Sequence, residues 1–133
     1  MKSSFEKLKG YTLLKGGIVY SPYKNINKKL DILLKDGKIV EIKSDISNND
    51  NYRKIDCNGK IITNGFLDIH THFREPGFEF KENLITGASS AFSGGYTRVC
   101  TMPNTEPVID NPELVSYIIE KSKNLPVFIH PIG

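Results

Sequence analysis

Gly65-Phe66-Leu67-Asp68-Ile69-His70-Thr71-His72-Phe73-Arg74-Glu75-Pro76-Gly77 is the stretch on which the reading of this chain turns. Apolar and polar residues alternate through it, and residues two apart on a strand share a face. The spacing predicts a strand from Phe66 to His72, with Leu67 and Ile69 against a helix layer and Asp68, His70 and His72 on the opposite face. Imidazole nitrogen binds zinc, and histidines at i and i+2 on one strand can converge on one ion. Asp68, one step deeper, is placed to orient a ligand histidine. Two imidazoles and a carboxylate buried without partners would be costly, and a divalent cation removes much of that cost. The alternative is a pair of strand-end histidines bonded to backbone carbonyls, and a bare His-x-His does not separate the two. Arg74 follows near the strand's exit. A guanidinium there can hold a carboxylate through two parallel hydrogen bonds, or it is a surface arginine. Pro76-Gly77 marks a sharp turn away from the strand.

Downstream the rhythm is strand, helix, strand, helix, strand. Lys81 to Ser93 has Leu84, Ile85, Ala88, Ala91 and Phe92 at helical spacing, and Gly94-Gly95 is a stop. Tyr96 to Met102 is the next strand. Asn111-Pro112 opens a second helix, Asn as cap and Pro at the first helical position, with Leu114, Tyr117, Ile118 and Lys121 facing inward. Asn124 closes it, and Pro126-Val127-Phe128-Ile129 is a third strand. Such alternation predicts parallel strands with helical crossovers, an α/β fold. In β/α barrels the chemistry sits at the C-terminal ends of the strands. That puts Met102-Pro103-Asn104-Thr105 on the same rim as His70 and His72. Asn104 there offers an amide donor and acceptor, or makes a local bond in a Pro-stiffened turn. The last strand ends with nothing after it to cover its edge, which predicts a barrel incomplete within these residues.

Upstream, residues 11–64 read as a small antiparallel β unit, and residues 1–10 as an N-terminal extension. Gly17 to Tyr20 is strand-like, and Leu30, Ile32 and Leu34 alternate. Asp36-Gly37 is a hairpin turn returning through Ile39 to Ile42. Ser47 to Asn51 is a polar loop, and Lys60 to Thr63 another short strand.

With 18 basic and 15 acidic residues the net charge is +3, and the lysines are scattered among acids rather than gathered on a basic face. This argues against a nucleic-acid binder. No apolar run approaches the roughly 20 residues of a membrane helix, and the N-terminus has no apolar signal core, so a cytoplasmic location is the default expectation. Cys57 and Cys100 form no CxxC pair and sit in apolar neighbourhoods, as reduced packing thiols do.

Taken together these residues resemble the dihydroorotase family of the amidohydrolase superfamily. The resemblance lies in His70-Thr71-His72-Phe73-Arg74-Glu75-Pro76-Gly77, then Lys81-Glu82, Thr86-Gly87-Ala88, Gly94-Gly95-Tyr96-Thr97 and Met102-Pro103-Asn104-Thr105 in order. Asp31 to Ile39 is similar too, while Asn64-Gly65 departs from the family's more frequent Pro-Gly. The resemblance implies a (β/α)8 TIM-like barrel, begun here, beside a small β domain. It implies that His70 and His72 bind zinc in a one- or two-metal centre, and that Arg74 and Asn104 hold a substrate carboxylate. The implied reaction is reversible cyclisation of N-carbamoyl-L-aspartate to L-dihydroorotate in pyrimidine biosynthesis. Further metal ligands and the aspartate general acid/base are expected beyond Gly133, so these residues alone should be inactive; His130 is not assigned as a ligand. The implied partners are the small-molecule substrate, a second copy of the chain, or aspartate transcarbamoylase. Two alternatives stand beside this reading. One is an allantoinase or hydantoinase-type enzyme, against which Arg74 counts because allantoin has no carboxylate. The other is a non-catalytic companion of the transcarbamoylase, against which the retained His70 and His72 count.

Overall fold

A computed structural model describes residues 9–133; most of the 1–10 extension lies outside the described residues. The chain divides between Asn64 and Gly65 into two compact units. The first contains β1 (Tyr11–Ser21), β2 (Ile26–Lys35), β3 (Lys38–Lys43), β4 (Arg53–Asp56) and β5 (Ile61–Ile62). The second contains β6 (Phe66–Thr71), α1 (Leu84–Ser93), β7 (Tyr96–Thr101), α2 (Pro112–Ser122) and β8 (Phe128–Pro131). Among the described residues no helix is long and apolar enough to cross a membrane.

The β unit is mixed where the sequence suggests antiparallel pairing throughout. β1, β2 and β3 form an antiparallel meander, but β4 and β5 both run parallel to β1. The expected hairpin between β2 and β3 is present, with Asp36 and Gly37 both at positive φ, 50° and 77°. That geometry suits the right-handed twist of the flanking strands. The parallel pairing needs the chain after β3 to cross the sheet, and Ile46 makes the crossing favourable. It lies buried against Leu13 and Leu33, an apolar anchor beside the polar run that follows. Cys57 is buried and Cys100 half-buried, both as free thiols.

The second unit is a parallel sheet ordered β6-β7-β8, with α1 and α2 packed on it. Its core gathers Phe73, Leu84, Ala88, Val99, Ile109, Ile118, Val127 and Ile129. α1 starts at Leu84 rather than at Lys81 because Asn83 caps it. The Asn83 side chain accepts from the amides of Ile85 and Thr86, and Thr86 Oγ1 accepts from the Asn83 amide. This reciprocal cap satisfies amides that a helix start otherwise leaves unpaired. Asn83→Ala should cost about 1 kcal/mol, read as a lower denaturant midpoint with an unchanged slope. α2 opens as expected, with Pro112 in its first turn and Asn111 accepting from the Leu114 amide at 3.0 Å.

The faces of β6 reverse the expectation. Parallel register sets Asp68 beside Val99 and Val99 beside Ile129. Val99 and Ile129 belong to the helix-covered core, so Asp68 shares the helix side. Leu67 lies beside Arg98 and Phe128 on the other face. Leu67 and Ile69 are 53% and 69% exposed there, not packed on helices. In α1, Leu84 and Ala88 are buried, while Ile85 and the C-terminal Phe92 are exposed. Gly87 explains the shift of that face. A Cβ at this position would meet the Phe73 ring at 2.7 Å, so glycine lets the aromatic ring lie on the helix backbone.

Candidate active site

Between Asp68 and Thr71 the β6–β7 pairing slips, with three steps on β6 against two on β7. Such bulges re-aim side chains near strand ends. His70 lies within this one and His72 just after it, and their rings come together, centroids 5.1 Å apart and planes at 69°. Both residues are exposed. The Asp68 carboxylate is not on a histidine ring: it accepts from the backbone amide of His70 at 3.0 Å, and so shapes the bulge.

Asn104 reaches the same place from the end of β7. Its Oδ1 lies 2.9 Å from His72 Nδ1. An amide oxygen only accepts, so in this orientation Nδ1 is the donor to Asn104 and Nε2 is the ring nitrogen turned away from it. Metal-binding histidines are typically fixed by this kind of bond at the other ring nitrogen. The same bond turns the Asn104 amide nitrogen away from His72, and among the described residues that nitrogen makes no hydrogen bond. The loop that holds Asn104 is tied to β6, because the Met102 amide donates to the Thr71 carbonyl at 2.8 Å.

Arg74 is half-buried, and among the described residues its guanidinium makes no hydrogen bond or ion pair. Its backbone is left-handed, φ 63°, a conformation that costs of order 1 kcal/mol or more for a non-glycine residue and persists where surrounding structure enforces it. The following Gly77 also has positive φ, 96°, and lies against Glu106, leaving no room for a Cβ. The two rim loops are thereby pressed together. His130 stands apart, its Nε2 facing Arg98 Nη1 at 3.2 Å, and Arg98 lies over the Phe128 ring. Among the described residues no three His, Cys, Asp or Glu side chains assemble into a metal cage. The His70–His72 pair supplies two imidazole donors, half of a tetrahedral set.

Residues 59–127 match the dihydro-orotase-like family. The chain belongs to that family. It is 48% identical over 124 residues to the dihydroorotase of Acetivibrio thermocellus, covering 91% of this chain and 28% of the relative. It is 44% identical over 122 residues to the dihydroorotase of Citrifermentans bemidjiense, covering 91% of this chain and 29% of the relative. The chain thus spans less than a third of these relatives. Among solved structures it is similar to L-hydantoinase from Arthrobacter aurescens, with TM-score 0.80 and 26% identity over 95% of this chain and 28% of that one. D-hydantoinase from a Thermus species superposes with TM-score 0.64 and 28% identity, covering 84% of this chain and 24% of that one. These neighbours are TIM-barrel amidohydrolases, and the β6 to β8 unit corresponds to part of such a barrel.

Of the sequence-derived candidates in this dihydroorotase-like chain, the structure joins His70, His72 and Asn104 directly and sets Arg74 on the loop that follows. Glu75 carried no assignment in the sequence reading. It is 3% exposed, with its carboxylate inside the second unit. A glutamate three residues after His72 and next to Pro76 carries no local sign of burial; its partners come from α1 and α2.

Proposed function

We propose that the complete polypeptide carrying this chain is a zinc-dependent cyclic amidohydrolase of dihydroorotase type, interconverting N-carbamoyl-L-aspartate and L-dihydroorotate. In this reading residues 11–64 begin the small β domain, and 65–133 supply the first β/α units of the barrel. The observation that carries it is the convergence of the His70 and His72 imidazoles with the Asn104 amide; His72 stands two residues before Arg74, whose guanidinium makes no hydrogen bond or ion pair among the described residues. His70 and His72 hold the metal. When bound, zinc lowers the pKa of a water toward 7 and polarises the amide carbonyl.

The chain's own residues bind and orient. Arg74 takes the substrate carboxylate through parallel N–H bonds, in a geometry that lysine does not match. Asn104 adds an amide donor while its oxygen accepts from His72 Nδ1. Fixing the carboxylate fixes the ring, and the scissile amide is then presented to the metal side; positioning of this kind accounts for much of an enzyme's rate. A hydantoinase-type reading is supported by the structural likeness, but a hydantoin ring has no carboxylate to occupy Arg74.

Zinc content and turnover of the purified complete protein test this. Metal bound in at least one equivalent per chain and hydrolysis of dihydroorotate, with allantoin and hydantoin left intact, are the expected results. Turnover of the latter two alone would overturn the substrate assignment. Absence of both metal and turnover would favour the non-catalytic transcarbamoylase companion.

A further inference from the structure

We propose that Glu75 is a positioning residue that sets Arg74 for the substrate carboxylate, its buried carboxylate clamped by Lys121 and Tyr117 of α2. The inference rests on the reading of Arg74 given above. Glu75 Oε2 accepts from the first amide of α1, Leu84, at 2.8 Å. Oε1 faces Lys121 Nζ in an ion pair and accepts from Tyr117 Oη at 3.3 Å. Lys121 Nζ also donates to Tyr117 Oη at 2.9 Å, which closes a triangle. Hydrogen bonding to Glu75 and then to Tyr117 holds the Lys121 ammonium well above the ordinary lysine range, so it stays charged.

Three observations connect this clamp to Arg74. Its left-handed backbone, φ 63°, has to be enforced from both sides. On one side Phe73 is buried with its ring against Gly87. On the other Glu75 is buried, its amide donates to the Phe73 carbonyl at 2.8 Å, and its carboxylate is tied to both helices. Among the described residues the guanidinium between these two anchored side chains makes no hydrogen bond or ion pair. Glu75 is buried but the Lys121 side chain is 45% exposed, so solvent screens the carboxylate–ammonium pair and it is a modest source of net stability. Its value here is directional: apolar packing could hold the loop down but could not fix the rotation of one residue between two anchors.

The test is a cycle in the complete enzyme with Lys121→Met, Arg74→Ala and the double variant, following KM for dihydroorotate, kcat and zinc per chain. Lys121→Met should raise KM on the order of tenfold with kcat nearly unchanged, since what loosens is ground-state and transition-state binding alike. Zinc content should not move, and Lys121→Arg should restore most of the loss. On the Arg74→Ala background Lys121→Met should add almost nothing. Equal effects on both backgrounds, a fall in kcat alone, or wild-type kinetics would overturn the clamp while leaving Arg74's role standing. An unchanged KM in Arg74→Ala would instead overturn the carboxylate assignment, and the clamp with it. If Lys121→Met does not fold, Tyr117→Phe, which removes only the hydroxyl contacts, is read in the same way, with a smaller rise in KM.

Discussion

His72→Ala in the complete enzyme is expected to lower kcat for dihydroorotate hydrolysis on the order of a thousandfold. Polarisation by a bound metal is worth several kcal/mol in the transition state, and each 1.4 kcal/mol or so is a factor of ten. The loss should be accompanied by metal loss, because His72 is one of the two imidazoles brought together here among the described residues. It also frees the Asn104 oxygen that now accepts from Nδ1 at 2.9 Å. His130→Ala is the matched control. Its ring nitrogen is engaged by Arg98 at 3.2 Å, so its removal should leave zinc per chain unchanged. Measured by metal analysis and initial rates together, retained zinc and near-normal kcat in His72→Ala would remove the metal assignment; equal zinc loss in both variants would make the effect one of general folding.

The histidine pair was legible because both residues lie within one short segment, where spacing and geometry are nearly the same thing. The bulge between Asp68 and Thr71 limits that correspondence. Strict alternation assigns Asp68 to the histidines' face, and the slip in pairing separates them. Leu67 and Ile69 failed for a different reason. Alternation tells which residues share a face but not which face meets the helices, and that was settled by Val99 and Ile129 on neighbouring strands. Asn104 was visible as a rim residue, but its bond to His72 spans 32 positions and leaves no local trace. Glu75 is the strongest case. Its partners Leu84, Tyr117 and Lys121 come from two helices, so no window of sequence around it contains the reason it is buried. The mixed β unit has the same origin: β4 pairs with β1 across the chain, with Ile46 and Tyr52 of a mostly polar connection packing on the cluster of Leu13 and Leu33.

Asp31→Ala should destabilise the β unit by about 3 kcal/mol, the sum of two buried amides each left unpaired at about 1–3 kcal/mol. Asp31 is 2% exposed and stands opposite the bulge where β1 gains one residue between Leu14 and Gly17. One carboxylate oxygen accepts from the Gly16 amide at 2.8 Å, inside the bulge. The other accepts from the Ile46 amide at 2.9 Å, at the crossing that leads to β4. Lys15 Nζ sits 2.8 Å from it and bridges to Asp45. One side chain therefore fixes both the β1 bulge and the crossing toward β4. Burial alone would push this carboxyl up, but the bonds from Lys15, Ile46 and Gly16, with the charge of Lys15, outweigh it and hold the group below the ordinary carboxylate value. The sign follows from linkage: a folded-state pKa below the unfolded value of about 3.9 gives stability that is fully present above about pH 4 and drains away as pH falls through the lowered value. Urea midpoints taken from neutral pH down to about pH 2 should fall in that window for the wild type, and Asp31→Asn should flatten that part of the curve, since amide and acid lose the charge alike. A wild-type curve that keeps its full slope after Asp31→Asn would assign the acid lability to other carboxylates, and a shift well under 1 kcal/mol in Asp31→Ala would mean that water replaces the carboxylate at both amides.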